Sequence, residues 1–101
     1  MAIFNIKRND TKPPLDVILS QGGVVVDLSD CSVTFHMSTI IDSPAIITDA
    51  TAGAVTYNWI AADTVTGGQF PAEFEVVFSD GAIETFPNNG YLTIFVYDDL
   101  A

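Results

Sequence analysis

Beyond Lys12 the chain contains no lysine or arginine, although 89 of its 101 residues lie there. Thirteen acidic residues face three basic ones, for a net charge of -10. Such a chain repels a phosphate backbone, whose protein affinity comes largely from cations that release counterions. Anionic membrane surfaces are disfavoured for the same reason. The single cysteine, Cys31, excludes an intrachain disulfide and with it a small secreted disulfide scaffold. Its thiol is expected to be buried. No uninterrupted apolar run approaches the roughly 20 residues of a membrane-spanning helix. Met1-Ala2-Ile3-Phe4-Asn5 also lacks the charged segment and apolar run of a secretory leader. A soluble protein made in the cytoplasm is expected.

What is present is apolar and locally ordered. Hydrophobic residues make up 49% of the chain and charged residues 16%, a composition that folds. The length suits one domain spanning residues 1–101. Charge is regional: Lys7, Arg8 and Lys12 against Asp10 give +2 over residues 1–12, and the remainder carries -12. A basic surface on another protein, or the basic tip of another copy, is the partner that this imbalance favours.

The pattern is that of strands. Residues 3–8 lead into Asn9-Asp10-Thr11, whose short side chains favour a turn. Pro13 and Pro14 then predict an exposed elbow or sheet edge. Leu15, Val17 and Leu19 alternate with polar residues as far as Gln21-Gly22-Gly23, and Val24–Leu28 reads as a third short strand. Over Cys31–Thr39, the residues Cys31, Val33, Phe35 and Met37 share one face and Ser32, Thr34, His36 and Ser38 the other. Asp42-Ser43-Pro44 reads as a break, Ala45–Thr48 as a short strand and Asp49–Gly53 as a turn.

Val55, Tyr57 and Trp59 alternate inward and mark the centre of the core. Ala61–Thr64 fits one helical turn, with Gly67-Gly68 as a connector. Phe70, Ala72, Phe74, Val76 and Phe78 form one face of a long strand. Asp80-Gly81 predicts a tight hairpin with both central residues left-handed, and Ile83–Phe86 is its return strand. Pro87–Gly90 turns the chain into Tyr91–Tyr97, which places Leu92, Ile94 and Val96 on one face. About seven to nine short strands at this turn spacing predict an all-β fold, an antiparallel immunoglobulin-like β-sandwich or a small barrel. Phe35, Tyr57, Trp59, Phe74 and Val76 are its expected core anchors.

Catalytic and metal-binding signals are weak. His36 stands among serines and threonines without a nucleophile elbow or oxyanion-forming glycines. Glu73 and Glu75 share a strand face about 7 Å apart, near the separation of glycosidase carboxylates, but any two alternate strand residues have that spacing. Asp98-Asp99 and Asp27/Asp30 lack the dense spacing of a calcium loop. A non-enzyme without metal or cofactor is expected. The concentration of Lys7, Arg8 and Lys12 around one proline elbow instead suggests docking, and the expected docking stretch is Lys7, Arg8, Asn9, Asp10, Thr11 and Lys12, in which Asn9, Asp10 and Thr11 also shape the turn. The plainer alternative is that these cations only balance nearby acids. A further alternative is sugar binding through exposed Tyr91 and Tyr97.

Several runs, taken in order, resemble one family. They are Phe4-Asn5-Ile6-Lys7-Arg8-Asn9-Asp10-Thr11-Lys12-Pro13-Pro14-Leu15; Val26-Asp27-Leu28 before Val33-Thr34-Phe35-His36-Met37; Ala52-Gly53-Ala54-Val55-Thr56-Tyr57-Asn58-Trp59 with Asp63-Thr64; Ala72-Glu73-Phe74-Glu75-Val76; and Asp80-Gly81 with Thr85-Phe86-Pro87-Asn88. Together they resemble the N-terminal domain of phage baseplate upper proteins, the BppU family. The resemblance implies an immunoglobulin-like sandwich in a tailed-phage virion, an adaptor that holds a fibre or receptor-binding component. Its partners would be other virion proteins, in several copies per particle. Larger members of the family continue into linkers and further modules, whereas this chain stops after its last strand. A stand-alone module of the tail, neck or capsid surface is therefore also expected.

Overall fold

The computed structural model describes residues 3–38, 41–98 and 100. Among these, eleven strands follow one another: β1 (Ile3–Lys7), β2 (Leu15–Ile18), β3 (Ser20–Gln21), β4 (Val24–Val25), β5 (Ser32–Met37), β6 (Ile41–Pro44), β7 (Ile46–Asp49), β8 (Ala54–Tyr57), β9 (Gly68–Val77), β10 (Ile83–Phe86) and β11 (Leu92–Tyr97). One 3₁₀ turn, Ala61–Thr64, separates β8 from β9. The count exceeds the expected range because β3 and β4 are two-residue strands and because a strand forms where a break was expected.

The strands make an immunoglobulin-like sandwich. One layer runs β1-β11-β9-β5-β6, with β10 beside the far half of β9, and the opposing layer runs β2-β8-β7. The described ladders are antiparallel except β1–β11, which is parallel with Ile6 opposite Val96 and Lys7 opposite Tyr97. Because side chains alternate across a strand, β9 sends Ala72, Phe74 and Val76 inward and keeps Glu73 and Glu75 outside. The β1 and β2 strands lie in different layers, so the elbow between them carries the chain across one end of the sandwich.

The core centres on aromatic rings. Phe35 stacks on Tyr57 at 4.4 Å between centroids, and meets Phe74 at 5.1 Å and the edge of Trp59 at 5.7 Å. Tyr57 and Trp59 are themselves T-shaped at 5.2 Å. Phe35 and Phe74 come from one layer and Tyr57 from the other, so these contacts fasten the two sheets together. Phe35, Phe74 and Val76 are wholly enclosed, and Tyr57 and Trp59 nearly so.

Several local expectations are corrected. Val24–Leu28 is not one strand: Gly22 and Gly23 turn a small hairpin at φ 58° and 82°, and only Val24 and Val25 pair, both exposed. Val26 then donates to Leu19 O, and the Asp27 carboxylate accepts the Ser29 N–H, turning the chain away. Asp42-Ser43-Pro44 belongs to β6 rather than breaking a strand, because on an outer edge the missing N–H of Pro44 costs no ladder bond. The chain changes layers directly after it, at Ala45. Gly68 opens β9 instead of serving as a connector. At Asp80-Gly81 only Gly81 is left-handed, at φ 89°; Gly81 N–H donates to Phe78 O and Phe78 N–H to Ala82 O, a longer loop than the two-residue turn. Cys31 is half-buried rather than buried. The expected strand end at Thr39 lies outside the described residues.

Candidate functional site

The elbow is a built corner rather than a loose loop. Arg8 N–H closes the parallel ladder on Tyr97 O at 2.8 Å, and Asn9 adopts a left-handed φ of 67°, which asparagine tolerates better than most residues. Asn9 N–H donates to Thr64 O at 3.1 Å, and Thr64 Oγ1 donates to Asp10 O at 2.9 Å. Thr64 is the one fully enclosed polar side chain among the described residues, so the 3₁₀ turn acts as a peg for the elbow. That turn is held in its own right by Asp63, whose Oδ2 accepts the Tyr57 hydroxyl at 2.7 Å and the Ile60 N–H at 3.0 Å.

The three cations of the elbow have different surroundings. Arg8 lies back along the surface: its Nε donates to Val65 O at 3.0 Å and its guanidinium meets Asp98 at 3.4 Å. It therefore links the elbow to the ends of two other elements. Lys7 and Lys12 are exposed and make no ion pair among the described residues. With Asn5, Asp10, Pro13 and Tyr97 they line a shallow cavity of about 190 Å³. Asp99 lies outside the described residues.

A second polar group occupies the outer face of the larger sheet. His36 of β5 stands opposite Glu73 of β9 and Asp42 of β6. Its Nδ1 is 3.0 Å from Asp42 and its Nε2 is 3.7 Å from Glu75, so the imidazole reaches across β5 from the edge strand β6 to the interior strand β9. Nε2, which would take a proton from a nucleophile, faces a carboxylate instead. Glu75, half of the pair weighed for glycoside chemistry, is thereby drawn towards His36. Beside it, His36, Ser38, Pro71, Glu73 and Tyr91 line a concavity of about 310 Å³. Among the described residues, no cluster of three or more His, Cys, Asp or Glu side chains is arranged to hold a metal ion.

At the opposite end of β9 lie Asp27, Asp30, Asp80 and Cys31. The Ser29 hydroxyl and then its N–H hold the Asp27 carboxyl below its usual range. Burial first, and then the charges of Asp27, Asp30 and Asp80, push the Cys31 thiol up. This environment suppresses the thiolate. Sequence reasoning missed Thr64 as the peg of the elbow and Asp42 as the partner of His36. Thr64 carried only a turn signal, and Asp42 was hidden by Pro44.

Compared with known proteins, the chain matches no family model and no curated protein. Solved structures do match it. The crystal structure of CopC from Methylosinus trichosporium OB3b aligns with a TM-score of 0.56 over 100% of this chain and 89% of that chain, at 16% identity. At that identity the likeness concerns the fold alone: an immunoglobulin-like β-sandwich.

Proposed function

We propose that this protein is a docking module, a structural protein of a tailed-phage virion that attaches a fibre or receptor-binding component in the baseplate or tail. The observation that carries the reading is the elbow itself. Its backbone is pinned by Thr64 and Arg8, while Lys7 and Lys12 present free charge around an open cavity. A pinned backbone lowers the ordering cost of binding, and charge collected at one corner of an acidic molecule steers a partner to that corner. The resemblance of the ordered motifs to those of the baseplate upper proteins supports the virion setting. The same module on a capsid surface or neck is the alternative placement.

Lys7→Glu with Lys12→Glu tests this reading. Arg8 stays in place because it supports the fold. The pair should lower incorporation into particles with no change in the circular dichroism or melting of the isolated protein. Normal incorporation would remove the docking role.

One observation favours a second reading, a carbohydrate-binding module for host adhesion. Trp59 and Tyr57 are buried, but Tyr91 is 52% exposed and lines the concavity with His36 and Glu73, which offers an aromatic face beside polar groups. A glycan array is the check: hits lost in Tyr91→Ala support it, and an array without hits ends it.

A further inference from the structure

The side of the sandwich beside β2 is open. Val17, Leu19, Phe74, Phe86, Pro87 and Leu92 line an apolar cavity of about 180 Å³ between the layers. A second cavity of about 120 Å³, lined by Phe4, Leu15, Asp16 and Ile94, shares Val17 and Leu92 with the first. Together they form one groove along β2. Phe74, Phe86, Leu92 and Ile94 belong to the hydrophobic core and are themselves buried, so the core forms the floor of the groove, and half-buried Val17 and exposed Ile18 stand at its mouth.

Among the described residues, the edge of β2 along this groove has no partner strand, since β2 ends the order β2-β8-β7. Its register sets Leu15 against Tyr57 and Val17 against Val55, and Leu19 N–H continues that series to Gly53 O at 2.8 Å. In an antiparallel ladder, alternate residues bond to one neighbour and the residues between them face the other way. Leu15 and Val17 therefore turn their backbone groups to β8, the Leu19 N–H and carbonyl are taken by Gly53 O and the Val26 N–H, and Asp16 and Ile18 turn their backbone groups to the open edge. An apolar groove flanked by unmade backbone hydrogen bonds is the arrangement that an added strand completes.

We propose that this groove receives an extended segment of another protein, which pairs with β2 and carries apolar residues at alternate positions with lysine or arginine between them. This deepens the docking reading and rests on it. The apolar side chains would fill the space beside Val17 and Leu92. The basic ones, on the opposite face of the added strand, would lie beside the Asp16 carboxylate, with their aliphatic stems over the exposed Ile18. Charge selects this occupant: Asp16 is the one charged residue among the described residues that line the groove, and a second copy of the chain would bring another net -10 to an already acidic molecule.

The test uses the whole chain and three capped synthetic peptides of about nine residues: alternating Lys-Val, alternating Glu-Val, and the Lys-Val composition in two blocks. Amide shifts and hydrogen exchange are followed by NMR. The alternating Lys-Val peptide should protect the Asp16 and Ile18 amides. Ile18→Pro deletes one edge donor without touching the β8 ladder, and should weaken that peptide about tenfold, as expected for loss of one interfacial hydrogen bond. Should that variant fold poorly, Asp16→Lys serves instead, and should reverse the preference between the Lys and Glu peptides. Equal binding of all three peptides, binding indifferent to both variants, or self-association that protects the same amides would overturn the proposal. The Lys7/Lys12 double variant should bind the peptide normally, so a failed groove and a failed elbow are read separately.

Discussion

Trp59 has a large apolar surface and one polar atom, and in this core the two work against each other. Its ring stacks on Phe4 at 5.8 Å and meets Phe35 and Tyr57 edge-on, but its buried Nε1–H has no hydrogen-bond partner among the described residues. An unmade buried hydrogen bond costs about 1–3 kcal/mol, which offsets part of the packing gain. Trp59→Phe should therefore cost much less than Trp59→Ala, for which about 3–5 kcal/mol is expected; urea unfolding of both variants checks the difference. Tyr57 behaves oppositely because its hydroxyl is satisfied. Burial first, then the Asp63 hydrogen bond and charge, push its pKa from 10.0 to about 12. The unfolded chain then releases this proton at lower pH than the folded one. The contribution is complete below pH 10 and is lost as pH rises towards 12. Across that window the stability of the wild type should fall more steeply than that of Tyr57→Phe, as read from denaturant midpoints.

At the scale of elements, the turns are placed by groups far away in sequence. Thr64 reaches Asp10 over 54 residues, and Thr64→Val leaves that carbonyl without its donor. A loss of about 1–3 kcal/mol is expected, with faster hydrogen exchange at Asn9 as the local sign. Gly53 serves the turn between β7 and β8 at φ 68°, where a Cβ would lie 2.6 Å from Leu19 O and 2.9 Å from Val26 O. Both obstacles are backbone, so nothing rotates away. Gly53→Ala should destabilise by more than about 1 kcal/mol and lower the thermal midpoint, whereas alanine at exposed Gly22 meets no neighbouring atom. Alternation made β5, β9 and β11 legible because each has one face against the core and one outside it. The same rule failed at β6 and β4, which lie at margins where a strand needs no second partner and proline or exposed valine is tolerated.

For the whole molecule, charge and shape act together. The protein measures 46 × 22 × 22 Å and carries a net charge of -10. Much of that charge lies within a Debye length of its neighbours at low salt, and self-repulsion opposes the compact state. Raising ionic strength from about 10 to about 150 mM, which shortens the screening length from roughly 30 to 8 Å, should raise the thermal midpoint; a flat response would show that the acids are already well separated.

What the sequence determined alone was the class of structure and its inner face, because the two-residue period of a strand is written in adjacent side chains. Val33, Phe35 and Met37, or Ala72, Phe74 and Val76, declare their direction without reference to anything distant. The concentration of cations at the elbow was equally plain. Only the tertiary structure decided which of those cations remain available. Arg8 is taken up by Val65 and Asp98, while Lys7 and Lys12 are left exposed around their cavity. The open groove beside β2 was also decided there, since a vacancy between two layers depends on which strands become neighbours. That pairing joins residues tens of positions apart, and no local pattern encodes it.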